Sequence, residues 1–246
     1  MIERPTVLLA DRSESFLMYL SILLNRMDYE VLPVTDDKSL LNMAGALRPS
    51  LILLGPDIPE AGTIEVLQTL RKDKDLSDTP VLVADEESAE QQYRKAGCRA
   101  FVPKPIDIHQ LHSALSAIAA PCGFRRKHLR AVFHRQVLLS HASQTVKCQG
   151  ITLSEGGIFI RRRTPFAQGC RLKVEIPDTA GQPLCFEGEV IYIKQLSRHR
   201  FTMPPGMAIR FLDASNRDRL ALQTMIKGLL IGDLLEEQDE QILKVN

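Results

Sequence analysis

"PSLILLGPDIPEAG", Pro49 to Gly62, opens with an unbroken apolar run from Leu51 to Leu54 and changes character at Gly55. Such a run, bounded by Pro49 and by the Gly55-Pro56 pair, has the length and flanks of a strand buried on both faces. Strands of that kind belong to parallel sheets, whose chemistry gathers at the carboxyl ends of the strands. Here that end carries Gly55, and the nearest acid, Asp57, stands two residues further on. Two residues of extended chain displace a side chain by about 7 Å.

The flanking sequence repeats the same unit. "TVLLAD" (Thr6 to Asp11) reads as a strand ending in an acid, and "SESFLMYLSILLNRM" after it as a helix. In that helix Ser13 is the N-cap and Phe16, Leu17, Leu20, Leu23 and Leu24 form the apolar face. "YEVLPV", "TPVLVAD" and "CRAFVP" supply further strands, and "DDKSLLNMAGAL", "IEVLQTLRKD", "SAEQQYRKAG" and "DIHQLHSALSAIAA" further helices. The last helix turns Ile108, Leu111, Leu115 and Ile118 to one side. Five strands alternating with five helices predict an α/β doubly wound, five-stranded parallel sheet covered on both faces, with right-handed crossovers. Asp11, Gly55, Asp85 and Lys104 then stand at strand ends and face the functional crevice.

"LLADRS", "RPSLILLGPDIP", "TPVLVAD" and "FVPKPID", in this order across about residues 5–119, resemble a response-regulator receiver domain. The resemblance implies an acid pair after the first strand that holds Mg²⁺ and a phosphoacceptor aspartate after the third. It also implies a Ser/Thr that senses the phosphoryl group after the fourth, and a Lys-Pro, usually joined by a cis peptide, after the fifth. Asp11 matches one acid of the pair, but Ala10 replaces the other; Gly55 replaces the phosphoacceptor and Asp85 the Ser/Thr; Lys104 and Pro105 match. Aspartyl phosphorylation needs a carboxylate oxygen in line with the donor phosphorus and a cation to neutralise charge. Gly55 has no side chain, one acid fewer makes a poorer Mg²⁺ site, and an anionic Asp85 repels an incoming phosphoryl group. The four residues therefore read as a vestigial site, with Lys104 paired to Asp11 or Asp85 as a structural ion pair. Asp57 reads as a loop residue in a turn set by Pro56 and Pro59.

The 246 residues, 44% hydrophobic and 25% charged, are the composition of a globular chain with room for two cores. The formal net charge of +1 offers no bulk field for a nucleic acid polymer or a membrane surface. Charge is uneven locally: "FRRKHLRAVFHR" (Phe124 to Arg135) holds five Arg/Lys and no acid, and "DLLEEQDE" (Asp233 to Glu240) five acids and no base. The five cysteines form no C-x-x-C pair, and His109 and His112 have no third ligand nearby, so no metal is expected. The scattered cysteines suit a reducing compartment. The N-terminal apolar stretch is too short for a signal sequence, and no apolar run is long enough to span a bilayer. The expected location is therefore the cytoplasm, without membrane insertion.

After Ala120 the pattern changes. "PCG" (Pro121 to Gly123) is a hinge, followed by "AVFHRQVLLS", "TVKCQGITL", "GIFIRR", "CRLKVEI", "CFEGEVIYIKQL" and "GMAIRFLD", which alternate apolar and polar residues between turn signals. They predict an all-β small antiparallel barrel. "NRDRLALQTMIKGLLIGDLLEE" adds a C-terminal helix, with Leu222, Ile226, Leu229 and Leu230 on its apolar side. "RRKHLR" (Arg125 to Arg130) contains Arg-x-x-x-Arg at Arg126 and Arg130, and "TLSEGG" (Thr152 to Gly157) forms a strand-to-strand turn. Together with "LSEGGIFI" and "PGMAIRF", they resemble a PilZ domain over about residues 124–230, a family of receptors for the bacterial second messenger cyclic di-GMP.

That resemblance implies a cyclic di-GMP site at Arg125, Arg126, Arg130, Thr152, Ser154 and Gly157. The guanidinium fork donates parallel hydrogen bonds to phosphate oxygens or to guanine O6 and N7. Two such forks on a flexible segment beside a barrel wrap around a ligand on its surface. The family's turn begins with Asp or Asn, whereas Thr152 offers only an uncharged hydroxyl; losing a charge-assisted bond costs roughly 1–3 kcal/mol. Arg161, Arg162 and Arg163 add positive charge, but three consecutive strand residues do not share a face. Ser154 has no His or Asp partner in sequence, so no enzyme is expected.

The expected organisation is a receiver-like domain at 1–120, a basic linker at 121–131, a PilZ-like barrel and helix at 132–235, and an acidic tail at 236–246 with the composition of a disordered segment. The expected function is a non-enzymatic cyclic di-GMP effector of bacterial signalling. Its unphosphorylated pseudo-receiver contacts an unidentified protein partner or a second copy of the chain. Two alternatives stay open: a ligand-independent scaffold in which both domains have lost their inputs, and a phosphorelay acceptor using Asp57.

Overall fold

The computed structural model describes residues 4–118, 128–177, 182–195 and 204–235. The chain divides into two compact units, the second of which is His128–Leu230.

The first unit alternates strand and helix: β1 (Thr6–Ala10), α1 (Glu14–Arg26), β2 (Glu30–Val34), α2 (Asp37–Leu47), β3 (Leu51–Leu54), α3 (Thr63–Lys72), β4 (Val81–Asp85), α4 (Glu90–Ala96), β5 (Ala100–Pro103) and α5 (Ile108–Ile118). The strands form one sheet of order β2-β1-β3-β4-β5, and every pairing is parallel. Leu51–Leu54 are buried throughout, which is why that run carries no alternation: helices cover both of its faces. Ser13 caps α1 by accepting the Phe16 N–H at 3.2 Å, and Asp36 caps α2 by accepting that of Ser39 at 2.8 Å. The apolar face read for α1, and Ile108, Leu111, Leu115 and Ile118 of α5, are all buried. The order of the sheet reverses between β1 and β3, so the crevice at its carboxyl edge opens between Asp11 and Gly55.

The second unit comprises β6 (Arg130–Val132), β7 (Gln136–His141), β8 (Gln144–Ser154), β9 (Gly157–Arg161), β10 (Arg171–Ile176), β11 (Leu184–Lys194), β12 (Gly206–Phe211) and α6 (Asn216–Ile231). Its pairings are antiparallel and run β8-β7-β10-β11-β12-β9; β9 pairs back onto β8 and closes a six-stranded barrel, and β6 adds to β8. Inward residues such as Phe133, Val174, Phe186, Val190, Met207 and Ile209 fill the barrel, with the Phe186 and Phe211 rings stacked 4.3 Å apart. Leu222, Ile226 and Leu230 of α6 are buried.

Two expectations need correction. "AVFHRQVLLS" is not one strand: residues 133–135 interrupt it, and β6 and β7 lie one after the other along the same edge of β8. Opposite the break β8 bulges between Gly150 and Thr152. The Phe133 ring fills the space a Gly150 side chain would take, for a Cβ there would stand 2.6 Å from Phe133 Cδ1. The second correction concerns Arg130, expected on the flexible linker. It stands in β6, paired to Ser154, because the barrel edge recruits the end of the basic segment as a strand. Residues 121–127 of the predicted linker, with Arg125 and Arg126, and the acidic tail lie outside the described residues.

Candidate functional site

At the carboxyl edge of the parallel sheet, the missing side chain at Gly55 has been replaced in space. A Cβ built on Gly55 would stand 1.5 Å from Asp11 Oδ2 and 2.5 Å from Asp11 Cγ. The Asp11 carboxylate thus lies where a side chain leaving β3 would go. Its Oδ1 accepts the Ser13 N–H at 2.7 Å, and its Oδ2 stands 4.0 Å from Lys104 Nζ. The same ammonium sits 4.0 Å from the centre of the Phe16 ring. Of the two partners expected for Lys104, Asp11 is the one at ion-pair distance. The Lys104–Pro105 peptide is cis.

Asp85 is engaged elsewhere. Its Oδ2 accepts the Tyr93 hydroxyl from α4 at 2.7 Å, and its Oδ1 accepts the Glu86 N–H at 2.7 Å. Burial, and then that hydrogen bond, push the Tyr93 phenol above its ordinary range. The Tyr93 ring stacks on Phe101 of β5 with centroids 6.2 Å apart. The loop after β3 is pinned by Thr63, whose buried hydroxyl lies 2.7 Å from the Gly55 carbonyl and 2.8 Å from that of Pro56. Asp57 lies in the loop after β3, and its backbone carbonyl accepts the Arg12 N–H. One carboxylate facing an ammonium is a donor set that does not fit Mg²⁺, which takes several oxygen ligands in octahedral geometry. Among the described residues, no three His, Cys, Asp or Glu side chains gather into a metal-binding group.

On the barrel, strand register brings the Arg, Thr, Ser and Gly positions into two transverse rows. One row runs Arg130–Ser154–Gly157–Arg210–Glu189 across β6, β8, β9, β12 and β11. The next row but one runs Val132–Thr152–Phe159–Ala208–Tyr192. Arg130 is exposed at the end of the first row, and exposed Val132 and Tyr192 end the second. Ser154 is buried, and its hydroxyl donates to the Gly157 carbonyl at 3.1 Å, so it shapes the turn. The close neighbour of Gly157 is the protein itself: a Cβ there would stand 2.2 Å from the Ile209 carbonyl oxygen of β12.

Arg161 and Arg163 are exposed and Arg162 is half-buried. All three line one hollow of about 580 Å³, with His134, Gln149 and Ile151. β9 ends at Arg161, so Arg162 and Arg163 lie beyond the strand. Arg162 is held there by the protein: Nε donates to the Thr164 carbonyl at 2.6 Å, and the guanidinium lies 4.8 Å from the Phe166 ring centre.

A parallel sheet with a single carboxylate at the centre of its carboxyl edge is thus followed in the chain by a closed barrel that presents an Arg–Ser–Gly row. Residues 7–116 match the family model of the response regulator receiver domain, and residues 124–228 that of the PilZ domain. The polar-differentiation response regulator DivK of Brucella anthropi is 27% identical over 106 residues, 42% of this chain and 86% of that protein. DivK of Brucella ovis is 26% identical over 106 residues, with the same coverage. Among solved structures, the chemotaxis response regulator CheY4 of Vibrio cholerae is 26% identical over 46% of this chain and 98% of that one, with a TM-score of 0.44. A response regulator receiver domain protein from Clostridium thermocellum is 16% identical over 48% and 95%, also at 0.44. The chain carries a response-regulator receiver domain followed by a PilZ domain, and the PilZ family implies cyclic di-GMP as its ligand. Among the described residues no helix is long and apolar enough to cross a membrane.

Proposed function

We propose that this chain is a non-enzymatic cyclic di-GMP effector whose receiver domain is not phosphorylated and serves protein–protein contact. The observation that carries the reading is the pair of sheet-end geometries: Asp11 fills the phosphoacceptor's place, while Arg130 stands exposed beside the Ser-x-x-Gly turn. Arg125, Arg126 and Arg130 supply guanidinium forks to phosphate or guanine, Thr152 offers a hydroxyl acceptor, and Ser154 and Gly157 hold the turn on which the ligand rests. The preference of the ligand for one arrangement of the basic segment is the energy available to change partner affinity.

Calorimetric titration of the full chain with cyclic di-GMP is expected to give a micromolar or tighter Kd. The Arg126→Ala, Arg130→Ala double variant should lose about hundredfold or more, since each lost charged hydrogen bond is worth about 1.5–3 kcal/mol. No heat from the wild type at tens of micromolar, or equal binding by the double variant, rejects the reading. Thr152 in place of Asp or Asn, and the Ser154 hydroxyl turned onto Gly157, favour the scaffold alternative if the wild type is silent. Incubation with acetyl phosphate and Mg²⁺ should leave the intact mass unchanged; a gain of one phosphate abolished by Asp57→Asn would restore the phosphorelay reading.

A further inference from the structure

The tip of the β8–β9 turn, Glu155-Gly156, has no part in the ligand set above, yet both residues act on one imidazole. The Glu155 side chain is 17% exposed, and its Oε2 lies 4.0 Å from His128 Nδ1. The same oxygen accepts an N–H from Gln223 of α6 at 3.1 Å. A carboxylate so far withdrawn from water needs such donors. Next to it, a Cβ on Gly156 would stand 3.0 Å from His128 Cδ2, so the bare glycine is what leaves room for the ring. His128 stands midway between Arg126 and Arg130, two residues from each.

We propose that Glu155 is a positioning residue: with Gly156 it tethers His128, and through it the middle of the Arg-x-x-x-Arg segment, to the turn that carries Ser154 and Gly157. Through Gln223 it also links that segment to α6. The proposal rests on the cyclic di-GMP reading for its functional consequence, but not for the contact itself. A basic segment seated in advance on the turn has fewer conformations to lose when the ligand arrives, so the tether raises affinity by pre-organisation. It also gives the segment's position a mechanical readout on the C-terminal helix.

Glu155→Gln separates positioning from plain support. The amide oxygen still accepts from Gln223, but the carboxylate facing His128 is gone. In the full chain the variant should melt within about 3 °C of wild type and bind cyclic di-GMP about fivefold more weakly. His128→Ala should lose about as much, and the double variant no more than either single, because both remove one contact. Unchanged affinity in the singles, additive losses, or an affinity loss that merely follows the melting temperature would overturn the tether. A second cycle needs no ligand: Gly156→Ala should destabilise the chain when His128 is present and not in the His128→Ala background. If that coupling is found in a chain that binds no cyclic di-GMP, the ligand reading falls and the tether stands; if the two effects add, the tether itself is wrong.

Discussion

Replacing Gly55 by aspartate is expected to destabilise the receiver domain by about 3 kcal/mol and to leave it unable to accept a phosphoryl group. Returning the family's residue does not return the family's site, because the space is taken. The new Cβ alone would overlap Asp11 Oδ2 at 1.5 Å, and Asp11 is 2% exposed, with Oδ1 bound to the Ser13 N–H and Oδ2 beside Lys104. The variant must either expel Asp11 from these contacts or crowd two carboxylates around one ammonium, and like charges at that range oppose joint ionisation. The loss corresponds to more than about 10 °C in melting temperature for a domain of this size. Adding Asp11→Ala should recover most of it, since the new carboxylate then takes Asp11's place next to Lys104; that recovery marks coupling rather than two independent lesions. A Gly55→Asp chain as stable as wild type, or one that gains a phosphate from acetyl phosphate, would show that Asp11 is not the occupant described.

Gly157→Ala should be the most damaging single methyl group at the barrel's β8–β9 turn, costing about 3 kcal/mol. Its Cβ would stand 2.2 Å from the Ile209 carbonyl oxygen, 3.1 Å from the Ile209 carbonyl carbon and 3.2 Å from Arg210 Cα. All three atoms are backbone of β12, paired to β9 through Gly157↔Arg210 and Ile158↔Ile209. A flexible side chain can turn aside; a paired backbone cannot without parting the strands that close the barrel. Cyclic di-GMP binding should fall with it, because the Ser154 hydroxyl is anchored on the Gly157 carbonyl. The nearest atoms that Gly156→Ala would meet belong to the His128 ring, at 3.0 Å, and it should cost the fold far less. Thermal unfolding of the two variants side by side is the measurement, and equal melting temperatures would refute the assignment of Gly157 to strand closure.

The parallel sheet was legible because its evidence is local. Leu51–Leu54, the capped helix from Ser13 and the turn residues between them each declare their own element. The strand ends Asp11, Gly55, Asp85 and Lys104 follow from the rule that such sheets work at their carboxyl edge. The antiparallel half was legible as alternation but not in its interruptions. Nothing in "AVFHRQVLLS" marks the break at 133–135, which answers a bulge near Gly150 that is distant in sequence. The strand that claims Arg130 was missed for a similar reason: a three-residue pairing with β8 overrides the loop-like basic composition around it. The partner of Asp85 was missed too. Tyr93 lies on the following helix, eight residues along, and only the packing of α4 on the sheet aims its hydroxyl.

What the amino-acid order settled alone is the kind of protein: one parallel and one antiparallel unit, a phosphoacceptor position without a side chain, and an Arg-x-x-x-Arg beside a Ser-x-x-Gly turn. Periodicity and residue chemistry are properties of short stretches and survive being read one stretch at a time. Tertiary structure alone decided that Asp11 fills the place Gly55 leaves, that β12 crowds Gly157, and that Glu155 joins His128 to Gln223. Each of those is a meeting of side chain or backbone from separate elements, and only strand register and close packing set which atoms meet.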